Sequence, residues 1–297
     1  MKKFLKVFSV VALICCCMFS FAGCDIFEDK KEEYAGLVAE RKIVREVVDN
    51  AQAMLKSKIE EEAEPAPTGS DISAKALGAD YWITSTMQHI AGIIEAIDVV
   101  ISSSDFIPGK LRNAEIINHS TEGGGTTYYT YMSLNAYCGE DNMVTLNYSI
   151  SNGYERGVVY ATPSVANSID IYYDNERQPL RFVECEAGGD YADFTDVRFA
   201  ETSEFESLHL AQWSTNDYNG VVEYRRMVDV DKNGEVKDLE EQSNDPETEC
   251  FTEEMTENFN AEIEFAKERT SLYNFARPLS KEVLDKFIEA MNKSQVE

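Results

Sequence analysis

The sequence predicts an α+β fold: one large, curved antiparallel meander sheet of about seven to nine strands, flanked by N-terminal and C-terminal helices. Two observations predict it. Apolar residues recur every three or four positions before residue 111 and after residue 250, but every second position between 111 and 240. The turns inside that middle stretch are short and rich in Gly, Asn and Asp, as in "CGEDN", "DNERQP" and "NDYNG". Such turns cannot hold crossover helices, so the strands must pair antiparallel in chain order.

The elements follow in order. Residues 1–23 open with the cationic "MKKFLK" and continue with the apolar "VFSVVALICCCMFSFA", which ends in Ala22 and Gly23 before Cys24. The apolar run has the length of a signal-peptide core and is at the short end for a membrane span. The pattern resembles a bacterial lipoprotein signal, with Phe21 where Leu is usual. The resemblance implies cleavage before Cys24, a diacylglyceryl group on its sulfur, and a protein held at the cell membrane or envelope outside the cytoplasm. It covers this segment alone. Cys15, Cys16 and Cys17 leave with the leader; consecutive cysteines on an apolar helix point in different directions and form no metal cluster.

Three of the 27 basic residues and none of the 54 acidic ones lie in the leader, so the mature chain carries a formal charge of −30. That charge repels phosphate backbones and anionic headgroups. It excludes a nucleic-acid partner and leaves the lipid on Cys24 as the means of membrane attachment. With Cys24 acylated, Cys138, Cys185 and Cys250 remain, an odd set without zinc spacing that allows one bridge at most.

Residues 24–33 read as a polar tether, and 34–110 as a helical segment broken at 60–71 by "EEEAEPAPTGSD". In its first helix Tyr34, Leu37, Val38, Val44, Val48, Ala51 and Leu55 make one stripe. The second begins near Asp71 or Ser73, and Ile83, Met87, Ile90, Ile94, Ile97 and Ile101 step by four and three until Pro108 and Gly109. Nine candidate strands fill 111–240, among them 157–162 ("GVVYAT"). In "SIDIYYD", Ile169, Ile171 and Tyr173 share one face and Asp170 and Tyr172 the other, the pattern of a half-buried strand. Residues 250–295 carry two helices. Met255, Phe259, Ile263 and Ala266 stripe the first; Ser280 caps the last, with Leu284, Phe287, Ile288 and Met291 on its buried face. The architecture resembles the curved-sheet lipid carriers of bacterial envelopes.

Four patterns bear on chemistry. "DVDKNGEVKDLE", 229–240, resembles an EF-hand calcium loop, with Asp229, Asp231, Asn233 and Glu240 as side-chain ligands and Glu235 offering its carbonyl. Against that, Lys237 stands at a ligand position and a strand precedes the loop. The same letters suit a bulged hairpin, with a type I turn, left-handed Gly234, Val230 facing Val236 and Asp229 facing Lys237. The hairpin is the favoured reading. Glu184, Glu186, Asp193 and Asp196 offer glycosidase-like carboxylate pairs, though solvated strand faces explain them as well. Tyr129, Tyr131 and Tyr137, with Ser133 and Asn135 between, form an amphipathic strand face suited to a glycan or a protein partner. Tyr128, Met132 and Leu134 on the other face read as core. His89, His119 and His209 are scattered, without HExxH, and no GxSxG or strand-borne GxGxxG is present. No catalytic set and no cofactor motif emerges. The functional expectation is a lipid-anchored extracytoplasmic protein that binds a partner or ligand, with a hydrophobic-ligand carrier and an envelope hydrolase as rivals.

Overall fold

The computed structural model describes residues 35–60, 78–110, 113–122, 126–154, 166–216, 222–243 and 251–271. Cys24, Cys250, the expected break at 60–71 save residue 60, which is helical, the expected helix start at Asp71 or Ser73, the expected strand at 157–162 and the last expected helix lie outside the described residues. The chain divides into two units, Met1–Lys42 and Ile43–Glu297. Of the first, residues 35–42 are described and are helical; Val38 there is exposed rather than part of a buried stripe. All that follows concerns the second unit.

Among the described residues the fold is α+β. In this unit helix α1 covers residues 43–60, α2 Ala79–Ser102 and α3 Glu253–Ser271. Between α2 and α3 lie β1 (Asn113–Glu122), β2 (Thr126–Cys138), β3 (Met143–Tyr154), β4 (Ala166–Tyr173), β5 (Pro179–Ala187), β6 (Tyr191–Phe199), β7 (Phe205–Asn216), β8 (Val222–Asp231) and β9 (Val236–Gln242). They form one open sheet in chain order, and each successive pair is antiparallel. The ninth strand is the second arm of the 229–240 segment, with Val230 opposite Val236 and Asp229 opposite Lys237. Asp231 accepts backbone N–H bonds from Asn233 and Glu235, and Gly234 takes φ +79°, a conformation that favours a residue without Cβ. The hairpin reading holds.

Helix α2 starts at Ala79, with Gly78 before it. Its isoleucine stripe is buried throughout: Ile90, Ile94, Ile97 and Ile101 are wholly inaccessible. The stripe faces the first side of the sheet, where Met132, Leu134, Val144, Leu146, Ile169, Ile171, Phe182, Val197, Leu208 and Val230 share its core with Val44, Val48, Ala51 and Leu55 of α1. Helix α2 touches β1 and β2 near one edge and β8 near the other. The strands between, β3–β7, stay farther from the helix. The sheet therefore bends round the helix, as large twisted sheets must.

The second face is not the solvated surface that strand alternation implies. Helix α3 packs on β4–β7, setting Phe259, Ile263 and Ala266 on Val183, Cys185, Ala192, Phe194 and Ala211. Asp170, expected on a wet face, is 3% exposed. Arg269 near the end of α3 donates from Nη2 to its Oδ2 at 2.7 Å and to the Thr145 hydroxyl at 3.1 Å. A carboxylate in that position is tolerated because a guanidinium meets it. Replacing Arg269 by Ala leaves Asp170 buried without its counter-ion. The expected cost is about 3–5 kcal/mol, read as a fall in the urea-unfolding midpoint.

Candidate functional site

The first face is not apolar throughout: beside the Arg226–Asp238 pair of β8 and β9 it carries a polar patch on β3–β7. Across β3–β7 the row Tyr148, Asn167, Glu186, Asp193 and Gln212 runs strand to strand. The neighbouring row is Leu146, Ile169, Glu184, Thr195 and Leu210. Glu184, Glu186, Asp193, Thr195, Leu210 and Gln212 of these rows, with Ser85, Thr86 and His89 of α2, line an open cleft of about 260 Å³.

Each acid is held differently. Glu184 is 4% exposed; its Oε1 accepts the Tyr148 hydroxyl at 3.1 Å and lies 3.1 Å from His89 Nε2. The bond to Glu184 raises the His89 pKa against the opposing effect of burial, so the imidazole favours its protonated form. Burial, aided by the Glu184 charge, also drives the Tyr148 hydroxyl well above its ordinary value and keeps it a donor. Glu186 Oε1 accepts the Tyr191 hydroxyl at 2.8 Å. Asp193 stands opposite Glu186 in the ladder. Burial first, then the Glu186 and Glu184 charges, push its carboxyl up to about 6. Two like charges face to face on adjacent strands disfavour each other, and the proton on Asp193 relieves that repulsion. With all three carboxylates ionised and His89 protonated, the cleft holds a surplus of negative charge.

The four carboxylates singled out from the sequence thus separate. Glu184, Glu186 and Asp193 meet in the cleft. Asp196 lies on the second face, where Arg181 Nε at 2.8 Å and Arg198 Nη2 at 2.8 Å bind it. Burial opposes its ionisation, but these two guanidiniums outweigh burial and hold its carboxyl below the usual range. The lining residues the sequence did not single out are Ser85, Thr86, Thr195, Leu210 and Gln212, and with them Tyr148, which holds Glu184. The alternation that puts Glu184 and Glu186 on one face was readable, but which helix covers that face was not.

The other candidates resolve as follows. Asp229 and Glu240 lie on opposite faces of the β8–β9 hairpin, since Asp229 pairs with Lys237 and Arg226 with Glu240. They cannot ligate one ion, which is the physical reason the calcium-loop reading fails. Among the described residues no group of His, Cys, Asp and Glu converges as a metal site. Neither Cys138 nor Cys185 is in a disulfide. Burial pushes the Cys185 thiol up to about 12, which makes it inert. His119 is exposed on β1. Tyr131, Ser133 and Asn135 are buried, not displayed, and Tyr128, read as core, is 40% exposed.

His209 is the structural surprise. Its Nδ1 lies 2.6 Å from Asp229 Oδ1 on β8 and its Nε2 2.9 Å from Glu262 Oε2 on α3. Only the imidazolium can donate to both, so it clamps α3 to the sheet. Burial lowers its pKa, but the bonds to Asp229 and Glu262 more than reverse this, to about 9. A pKa raised on folding contributes stability that is complete below about 6.5 and is lost as pH rises through 9.

No family model, no curated protein and no solved structure matches the chain.

The pH dependence supplies a test. Urea titrations should show stability falling between pH 6.5 and about 9.5, by at most about 3 kcal/mol. In a His209→Gln variant that fall should be smaller, the remainder coming from His89, whose pKa the bond to Glu184 also raises.

Proposed function

We propose that the protein is a lipid-anchored, extracytoplasmic binding protein whose cleft between α2 and the sheet takes a small organic cation. The anchor rests on the leader and Cys24. The ligand class rests on one observation: Glu184, Glu186 and Asp193 line a cavity of about 260 Å³ together with the neutral Ser85, Thr86, Thr195 and Gln212. Ammonium and guanidinium groups suit such a lining, since carboxylates accept charge-assisted bonds and the hydroxyls and amide orient the rest of the ligand. An organic cation fits better than a metal ion because Glu184 and Glu186 are already held by Tyr148 and Tyr191 at 3.1 and 2.8 Å. The carrier reading is less well supported. Where that reading puts a hydrophobic ligand, between sheet and helices, inaccessible side chains such as Leu146, Ile169, Ile94 and Ile97 fill the space.

The hydrolase reading keeps one supporting observation. Asp193, shifted up to about 6, faces Glu186 across the ladder, and a raised carboxyl beside a second carboxylate is the kind of group that serves as general acid in glycoside cleavage. Turnover of aryl glycosides that disappears in Asp193→Asn would replace binding by catalysis.

Calorimetry with lysine, arginine and linear diamines tests the binding reading. At least one should bind at pH 7.5 and bind at least ten-fold more weakly at pH 5, where Asp193 carries its proton. Asp193→Asn should show the weak affinity at both pH values. Absence of binding across this set would refute the cleft assignment. For the anchor, Cys24→Ser should move the protein from the membrane to the soluble fraction, and the N-terminal peptide of the parent protein should carry the mass of a diacylglyceryl group.

A further inference from the structure

A second open cleft, of about 400 Å³, lies on the other face of the sheet beside α3. Two rows of the ladder line it. In one, Arg181, Arg198, Ser207 and Asp231 stand opposite one another on β5, β6, β7 and β8. In the next, Asp196, His209 and Asp229 run across β6, β7 and β8. Glu262 of α3 and the ring of Phe194 complete the lining.

The charges on each side of this cleft do not cancel. Asp196 is 6% exposed, and Arg181 alone satisfies it, with Nε on Oδ1 at 2.8 Å and Nη2 on Oδ2 at 3.0 Å. Arg198 adds Nε at 3.1 Å and Nη2 at 2.8 Å to the same Oδ2. One buried carboxylate calls for one guanidinium, so the β5–β6 side holds a surplus positive charge. Neither Nη1 is spent on Asp196, and the Arg198 side chain is half exposed. Exposed Glu206 also acts on Arg198 through space, but no ion pair joins the two among the described residues. On the side of β8 and α3 the imbalance is reversed. Asp229 Oδ1 and Glu262 Oε2 share the single imidazolium of His209, which leaves one negative charge over. Lys237, opposite Asp229 in the ladder, is exposed and turns its ammonium to the Met255 sulfur at 4.0 Å. Asp231 adds a carboxylate at the rim. Among the described residues no ion pair links Arg181 or Arg198 to Asp229, Asp231 or Glu262. Two opposite surpluses thus face each other across Ser207 without meeting.

Their separation sets the length of what fits between them. Strands β6 and β8 are two strand spacings apart, about 10 Å, and the arginine side chains close part of that gap. Two extended peptide residues span about 7 Å. An ammonium and a carboxylate on a single carbon cannot reach both sides. We propose that this cleft binds a peptide of two or three residues as a zwitterion. Its C-terminal carboxylate takes the free edges of Arg181 and Arg198, since guanidinium forks match carboxylates. Its N-terminal ammonium takes the remaining oxygens of Asp229 and Glu262. Ser207 offers a hydroxyl to the peptide bond and Phe194 an apolar wall. The site shares no residue with the acidic cleft of the first face and stands or falls without it.

The test uses the mature, lipidated protein in detergent at pH 7 and two probes, L-Ala-L-Ala and L-Ala-L-Ala-L-Ala. Calorimetry should show binding of at least one, and its N-acetylated form, which lacks the ammonium, should bind at least ten-fold more weakly. Arg198→Gln and Asp229→Asn should each weaken the parent peptide ten-fold or more. Arg198→Gln leaves Asp196 both of its bonds from Arg181, so it tests the ligand rather than the fold. Asp193→Asn in the first cleft should leave peptide affinity unchanged. Absence of binding by both peptides overturns the proposal, as does equal binding of the N-acetylated form or affinity that Arg198→Gln leaves intact. Binding abolished by Asp193→Asn also overturns it, for the peptide would then sit in the first cleft.

Discussion

The structure depends on one constraint: a long antiparallel meander has to hide two faces, and its own twist bends it. Helix α2 answers the first face. Its isoleucines are spaced for one continuous stripe, and the sheet curves until β1, β2 and β8 all reach that helix. The short turns between strands make the meander, the meander makes a single broad surface, and the surface closes on the longest apolar stripe available. Burial of side chains such as Ile94, Leu146 and Phe182 to full inaccessibility is the main source of stability, at about 25 cal/mol per Å² of apolar area removed from water.

The second face is met by electrostatics as much as by apolar contact. Helix α3 has a narrow buried stripe, Phe259, Ile263 and Ala266, and most of its other residues are polar. It is held at one end by Arg269 on Asp170 and nearer its middle by Glu262 on His209. Both attachments place a sheet charge beneath the helix and an opposite charge on it. A chain with twice as many acids as bases cannot pair most of its carboxylates. The cations it does have are concentrated where carboxylates are buried: Arg181 and Arg198 on Asp196, Arg226 on Asp238, Arg269 on Asp170.

The fold was legible because its signals are local. Period two in 111–240, period three and four in α2 and α3, and Gly234 in its turn each announce themselves within a few residues. Even the register of the last hairpin follows from facing Val230 with Val236. The site was legible only in part. Glu184, Glu186 and Asp193 could be named as a possible set, and Asp196 with them, because strand alternation cannot say which face each helix covers. The register does say it: Asp193 lies opposite Glu186, whereas Asp196 lies opposite Val183, on the other side. The tyrosine strand misled for the same reason. Tyr131, Ser133 and Asn135 look like a displayed surface when solvent is assumed to lie on one side of the sheet, and solvent does not reach them. His209 gave no signal at all, since its partners come from positions 20 and 53 residues further on.

The cleft lies where it does because two gradients cross there. Along α2 the covered face changes from isoleucine to Thr86, Ser85 and His89 toward the N-terminal half. Along β5 the first-face residues change from Phe182 to Glu184 to Glu186. A well-filled core tolerates a carboxylate only where hydrogen bonds meet it, and each such bond fixes a neighbour: Tyr148 and His89 for Glu184, Tyr191 for Glu186. Once those two are committed, Asp193 is the acid left facing the cavity. Its proton is the least costly remedy for the repulsion around it, and a bound cation would do the same work from outside the chain. Affinity for such a cation and the protonation of Asp193 are therefore two measures of a single unmet charge.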